Sequence, residues 1–376
     1  MSDWLVATGD FTTLGGMDRA NYALAQYLAG RGDTVHLVAH RVAAELADRR
    51  GVVVHQVSRP FGAHLLGAPA LARAAARERR ALATGARILM NGGNGITGVP
   101  TWVHYLHAAY VPEVAASLRT RVSASVGRRY YLAREAAALR AAPLVICNSR
   151  VTAADVQRRY GVAASKTPVI YYGIDAAAFG PASEGERRSA RGALDVPADR
   201  PVALFIGALG DRRKGFDLLF DAWRTLSARG GWDAELVVAG AGAERDAWAA
   251  RARAAGLTGV RVLGFRTDIA SLLAAADVLV HPARYEAYGL GVHEAICRGV
   301  PAIVSSTSGV AERFPAALGP LLLPAGAGAA EVAAALARWK ADAPGWRARI
   351  ADLSAAWRAR TWDHMAADVA AAVDAA

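Results

Sequence analysis

The chain has 376 residues and a mass of 39.3 kDa, too long for one ordinary core and a comfortable length for two domains of about 180 residues each. With 53% hydrophobic and 20% charged residues it can bury globular cores, which excludes wholesale disorder, and no run reaches the roughly 18 apolar residues of a membrane-spanning helix. The net charge of +11 is uneven: residues 1–180 hold 21 Lys and Arg against 11 Asp and Glu, the remainder 23 against 22. The basic half fits an anionic partner, whether a phospholipid surface, a lipid-phosphate acceptor or nucleic acid; the Arg, Ala and Gly content equally fits the coding bias of a GC-rich bacterial genome.

At the N-terminus, MSDWLVATGD carries an acid and no basic stretch, so no secretory signal is expected. Short apolar β-type runs then alternate with longer helical ones. Candidate strands fall at residues 4–8, 34–39, 52–57, 87–90, 101–107, 144–148 and 168–172, and a second set at 202–207, 234–240, 260–264, 278–281 and 302–305. Between the first two lies a helix over 19–29 in which Ala20, Leu24, Tyr27 and Leu28 share a face. Continuous apolar strands alternating with helices mean parallel sheets covered on both sides. Cys147 and Cys297 lie one in each half without metal-ligand spacing, which argues for a reducing cytoplasm and against a disulfide framework or a zinc site. The series pauses once, at the polar segment GPASEGERRSARGALDVPADR of residues 180–200, where a domain boundary is expected. The predicted fold is α/β, with two facing Rossmann-like domains whose strand ends share a ligand cleft. Functional residues then belong in loops just after strands.

Three loops answer to that expectation. Gly15 and Gly16 stand between the strand at 4–8 and the helix at 19–29, where glycines let the backbone approach a ligand and the helix start offers unpaired N–H groups. A ligand-free tight turn would use the same pair. Arg212, Arg213 and Lys214 follow the strand at 202–207 and precede a helix, an arrangement suited to a diphosphate or else a solvated basic loop. After the strand at 278–281 comes HPARYEAYGLGVHE, with Glu286 in the loop, Glu294 eight residues on, and Gly289 and Gly291 between them. Carboxylates are poor phosphate ligands and good acceptors for sugar and ribose hydroxyls. Glu294 taken alone reads equally as a surface acid on an amphipathic helix.

The string YEAYGLGVHEAICRGVPAIVSS resembles the Glu-x7-Glu signature of the retaining glycosyltransferases of family 4, which have the GT-B fold. The pieces LGGMDRANYALAQYLAGRGDTVHLV, VICNSRVTAADVQRRYGV, VIYYGIDAAAF, IGALGDRRKGFDLLFDAW and GFRTDIASLLAAADVLVHPARYEAYGL fall in that family's order and span nearly the whole chain. The resemblance implies an acceptor-binding domain over 1–180, a nucleotide-sugar-binding domain over 181–358, and a helix over 359–376, with Trp362, crossing back to the first domain. It implies that Glu286 contacts hydroxyls of the donor sugar, Glu294 the ribose, Lys214 the diphosphate, and the Gly15–Gly16 backbone the distal phosphate. Gly207 and the start of the helix at Gly289, Leu290 and Gly291 complete the donor site, with Arg266 and the backbone at Phe265 around the base. His107 matches the family's histidine that reaches the transferred sugar, and His104 competes for that role. No metal and no cofactor are implied; the nucleotide sugar, usually UDP- or GDP-linked in this family, is a substrate.

Departures from the family pattern are Ala208, where an Arg usually partners the Lys, with Arg212 or Arg213 as substitutes, and Ala283 and Tyr288, where Ser and Phe are common. No Asp-x-Asp pair occurs, so leaving-group charge falls to Lys214, the nearby arginines and helix N-termini. Retention without an obvious covalent nucleophile implies front-face displacement. Alternatives on the same fold are an epimerase, a phosphorylase or a catalytically degenerate nucleotide-sugar-binding protein. Gly240-x-Gly242 mimics a dinucleotide fingerprint, but Arg245 stands where the third glycine belongs. The Arg-rich stretches 71–87 and 118–140, the latter with Tyr130 and Tyr131, carry no nucleic-acid recognition pattern and fit docking at the inner face of an anionic membrane.

Overall fold

The computed structural model describes residues 2–60, 64–113 and 118–376. It divides into two compact units, the first of Met1–Val111, Ala116–Gly173 and Arg360–Ala376, the second of Pro112–Ala115 and Ile174–Ala359.

The first unit runs β1 (Asp3–Ala7), β2 (Asp10–Phe11), α1 (Gly16–Gly30), β3 (Thr34–Ala39), β4 (Arg41–Val42), α2 (Ala44–Ala47), β5 (Val52–Gln56), α3 (His64–Ala81), β6 (Arg87–Asn91), β7 (Thr101–Val103), α4 (Leu118–Ala141), β8 (Val145–Cys147) and α5 (Arg150–Tyr160). Its parallel sheet has the order β5-β3-β1-β6-β7-β8, beside a two-residue pairing of β2 with β4. The central strand is apolar throughout because both of its faces are covered: Trp4, Leu5 and Ala7 are fully buried. On α1, Ala20, Leu24 and Leu28 are buried and Tyr27 lies at the edge of that face.

Two strands differ from expectation. β7 stops at Val103 instead of reaching residue 107, because the chain turns there into the tight turn His107–Ala109. Residues 168–172 form only an isolated bridge between Val169 and Cys147. Their remaining backbone serves the C-terminal segment instead: Arg360 Nε donates to the Tyr171 carbonyl at 3.1 Å, and Gly173 lies against the Thr361 carbonyl.

The second unit runs α6 (Glu184–Ala193), β9 (Val202–Ile206), α7 (Phe216–Ala228), β10 (Glu235–Ala239), α8 (Arg245–Ala254), β11 (Val260–Gly264), α9 (Ile269–Ala275), β12 (Val278–His281), α10 (Leu290–Cys297), β13 (Ala302–Ser305), β14 (Leu322–Leu323), α11 (Ala329–Ala341), α12 (Ala343–Arg349) and α13 (Ala351–Arg358). The parallel sheet order is β11-β10-β9-β12-β13-β14. The chain then returns to the first unit as α14 (Trp362–Asp374), which packs on α1 with the Arg19 guanidinium 5.6 Å from the Trp362 ring centre.

The domain boundary does not fall in the polar segment 180–200. The division falls at Gly173–Ile174, and α6 is bound into the second unit by Asp277, which takes Arg187 and, at 2.6 Å, the buried Arg191, and accepts Val202 N at 2.8 Å. Arg191 also donates to the carbonyls of Pro197, Ala198 and Arg200. Charged residues that read as solvated by composition are here the fastening of a helix. Among the described residues, no helix is long and apolar enough to cross a membrane.

Candidate active site

In the second sheet the strand order reverses between β9 and β12, and at such a point the loops leaving the carboxyl ends part to form a crevice. Loop 207–215 leaves β9 and loop 282–289 leaves β12. The two are in contact. A Cβ on Gly215 would lie 1.9 Å from the Pro282 carbonyl oxygen, and its φ of 71° separately favours glycine. Arg284 N donates to the Arg213 carbonyl at 2.8 Å, while the Arg284 guanidinium grips Asp217 on α7 through bonds of 2.8 and 2.7 Å.

On this frame three side chains converge on Glu286. Lys214 Nζ donates to its Oε2, His281 Nε2 lies 3.3 Å from that oxygen, and Arg213 Nη1 lies 3.9 Å away. Burial by itself would raise the Glu286 carboxyl; the Lys214 ammonium, the His281 ring and Arg213 outweigh it and hold it well below the usual carboxylate range. Burial also keeps His281 below the ordinary imidazole value, against the pull of Glu286. The result is an ionised carboxylate fixed among cations, able to accept from hydroxyls. Lys214 uses one of its three N–H donors on Glu286, so it can still face an anion.

Of the two arginines considered for the cation missing at Ala208, Arg213 reaches this cluster and Arg212 does not. The Arg212 guanidinium turns to Asp217, 3.7 Å away, and is half exposed. Gly207 lets the Lys214 stem cross the end of β9, since a Cβ there would stand 3.1 Å from Lys214 Cγ. The fingerprint-like Gly240 and Gly242 have a packing reason: added Cβ atoms would meet the carbonyl oxygens of Gly207 and Leu209 at 1.8 and 2.3 Å.

α10 begins at Leu290 behind Gly289, whose φ is 110° and whose Cβ would crowd Val310 Cγ1 at 2.9 Å. A Cβ on Gly291 would meet nothing within 4 Å, so the helix start is open there. Glu294 is buried one turn further on, four residues after Leu290 and on the same side of the helix. Phe265 follows β11 and is 66% exposed, while the Arg266 guanidinium is clamped by Asp268 at 2.7 and 2.5 Å. Both sit at the sheet's edge strand, two strands from β9, apart from the Lys214–Glu286 cluster.

In the first unit the order reverses between β1 and β6. Gly15 caps α1 with φ 83°, without a side-chain cap, and space around it is open. The first-turn amides from Gly16 onward are thus unclaimed by a capping side chain. In that turn stands Asp18, which the sequence did not single out. Burial, then the charge of Asp10, push its carboxyl up to about 6 against Arg41 and Arg59.

His107 N and Ala108 N donate to the buried carboxylate of Glu135 on α4 at 2.7 and 3.2 Å, and the Tyr160 hydroxyl donates to it as well. The His107 ring stacks on Tyr131 at 4.9 Å and 11°, and burial lowers its pKa against the pull of Glu135. Tyr131, read from sequence as part of a docking surface, therefore packs against His107; side chains of residues 118–124 and 126 lie outside the described residues. His104 is a core residue. Its Nδ1 pairs with the Tyr172 hydroxyl, and burial drives its pKa down to about 3. The two histidines do not share a strand, as β7 ends before both. Glu135 and His281 were also missed, since a lone acid in a basic helix and a strand-terminal His carry no spacing signal. Among the described residues, no group of three or more His, Cys, Asp or Glu could hold a metal.

A family model described as Glycosyl transferases group 1 matches residues 200–342, and one described as Glycosyltransferase Family 4 matches residues 14–178. A GDP-mannose-dependent alpha-(1-6)-phosphatidylinositol dimannoside mannosyltransferase of Mycobacterium tuberculosis is 30% identical over 168 residues, 45% of this chain and 42% of that protein. The chain spans less than half the length of the curated relatives it matches. Among solved structures, WaaG, a glycosyltransferase involved in lipopolysaccharide biosynthesis, superposes with a TM-score of 0.79 at 18% identity over 97% of this chain and 98% of the other. Anabaena HepE in complex with UDP-glucose superposes at 0.73 and 20% over the whole of both chains. The fold is that of GT-B glycosyltransferase structures, two α/β domains each built on a parallel sheet.

Proposed function

We infer that this chain, with two domains that match glycosyltransferase models and a GT-B fold, is a retaining glycosyltransferase that moves a sugar from a nucleotide diphosphate to an acceptor hydroxyl. The observation that carries this reading is the cluster of Lys214, Arg213 and His281 about the ionised Glu286 at the β9–β12 switch point. The M. tuberculosis relative is GDP-mannose-dependent by name, and HepE was solved with UDP-glucose, which supports a nucleotide-sugar donor.

In the proposed reaction the second unit holds the donor. Glu286 accepts hydroxyls of the sugar, Glu294 those of the ribose, and Lys214 with Arg213 faces the diphosphate. The bond between the anomeric carbon and the phosphate oxygen breaks, and its electron pair leaves with the nucleotide diphosphate. The acceptor oxygen bonds the same face of that carbon, and its proton passes to the leaving phosphate. Lys214 and Arg213 stabilise charge as it develops there, which is the electrostatic share of catalysis and requires no metal. Glu286 is tied to Lys214, which suits a hydroxyl acceptor better than a covalent nucleophile.

The acceptor belongs to the first unit in this reading. On α3, Arg73, Arg77 and Arg80 are all exposed at helical spacing, which favours a second element: peripheral contact with an anionic membrane. Cosedimentation with phosphatidylglycerol but not phosphatidylcholine vesicles, lost on changing these three to Ser, is the expected outcome.

The central test is a turnover screen of UDP-, GDP- and ADP-sugars without divalent metal. Slow hydrolysis of one donor by wild type, abolished by Glu286→Ala and by Lys214→Ala, is expected. Binding of a donor with neither hydrolysis nor transfer would favour a degenerate binding protein, and release of an epimerised or phosphorolysed sugar an enzyme of another class.

A further inference from the structure

We propose that Tyr288, with His293 and Arg313, is a positioning device that brackets the Glu286–Gly289 loop onto the body of the second unit, so that Glu286 meets the donor already in place. This rests on the reading of Glu286 as a donor-binding residue. Tyr288 is buried, with 1% of its surface exposed, two residues after Glu286 and directly before the cap of α10. Its hydroxyl accepts from Arg313 Nη1 at 2.7 Å and stands 2.9 Å from His293 Nδ1. Because a guanidinium can only donate, the phenol's own proton is available to His293.

Arg313 ends the turn Gly309–Arg313, and that turn holds the same loop by its backbone as well. Gly309 N donates to the Glu286 carbonyl at 3.0 Å and Val310 N to the Tyr288 carbonyl at 2.7 Å. Gly289 lies hard against Val310, as its close approach requires. The loop is thus gripped at its main chain by one end of the turn and at the Tyr288 hydroxyl by the other. The outer parts are packed in turn: Arg313 stacks 4.3 Å over the Trp357 ring on α13, and His293 meets the same ring edge-on at 5.0 Å. The resembled family commonly has Phe at this position, which would leave Arg313 and His293 without the hydroxyl they share here.

The test compares wild type with Tyr288→Phe, Arg313→Met and Arg313→Lys in two measurements. The first needs no donor: hydrogen exchange at Gly309 N and Val310 N, with Leu236 N in β10 as internal reference. Tyr288→Phe and Arg313→Met should speed exchange at the first two about tenfold and leave the reference unchanged, with Arg313→Lys closer to wild type. The second is titration with UDP-glucose and GDP-mannose and, for any sugar nucleotide hydrolysed, the split of KM from kcat. Weakening by about tenfold, mostly in KM, is expected from the loss of one hydrogen bond to a charged group. Wild-type exchange in Tyr288→Phe overturns the bracket, and faster exchange with unchanged nucleotide binding and KM overturns its role toward the donor. If wild type binds neither nucleotide, the transferase reading falls and with it the donor role, while the exchange result still decides the bracket.

Discussion

Replacing Lys214 with Met removes the cation nearest a buried carboxylate and leaves the rest of the cluster in place. The side chains of Lys214 and Glu286 are 19% and 14% exposed, so the pair behaves as a buried one. Breaking such a pair from one side costs about 3–5 kcal/mol, and Arg213 at 3.9 Å retains part of the compensation, so about 3 kcal/mol of lost stability at pH 7 is expected. The pH dependence identifies the cause. In wild type the depressed Glu286 pKa stabilises the fold above the ordinary carboxylate value, and that contribution is lost as pH falls through the lower folded value. In the variant the largest counterweight to burial is gone, so the folded pKa rises above the wild-type one. Ionised Glu286 is then a penalty relative to wild type at neutral pH, and the penalty shrinks as pH falls through the raised value. The stability gap between the two proteins, from urea unfolding between pH 4 and pH 8, should therefore narrow steadily toward acid. Glu286→Gln in the variant background should recover most of the loss at pH 7. A gap that is independent of pH, or no gain from the second substitution, would refute the ion-pair reasoning.

Other expectations follow from the same geometry. Arg213→Ala should weaken UDP or GDP binding about tenfold while Arg212→Ala stays within about twofold, because only Arg213 turns toward Glu286; isothermal titration separates them. His104, held near pKa 3, stays neutral in the fold while the unfolded chain takes up a proton below about 6.5. That costs about 2 kcal/mol at pH 5, a loss His104→Gln should remove from the stability–pH curve; the lowered His36, His107 and His281 contribute a remaining slope of the same sign. Gly215→Ala should destabilise by at least about 2 kcal/mol in thermal unfolding, as its Cβ would collide with the Pro282 carbonyl. Gly291→Ala meets open space, so stability should hold or rise by up to about 1 kcal/mol while nucleotide binding weakens.

The layered α/β architecture is legible in the apolar runs, because a strand buried on both faces has to be apolar along its whole length and a covering helix only along one face. The place of the site is legible as well: glycines and charges cluster just past strand ends at Gly207, Lys214, Glu286 and Gly289, positions that the doubly wound topology turns into a crevice. Chain order and spacing could not decide which cations of the Arg212–Lys214 run face that crevice. Tertiary structure decided it through Asp217, which draws Arg212 and Arg284 away and leaves Arg213 and Lys214 to Glu286. Sequence likewise leaves His104 in competition with His107, and packing encloses His104 between Trp102 and Tyr172 and sets the His107 backbone on the Glu135 carboxylate. Segment 180–200 reads as a domain boundary because composition reports charge but not its partner, and Asp277, 90 residues after Arg187 and 86 after Arg191, is the partner that binds its helix into the second unit. Periodicity records how each element meets its own core, whereas the direction of a charged side chain depends on counter-charges brought from distant strands, and only the folded chain places those.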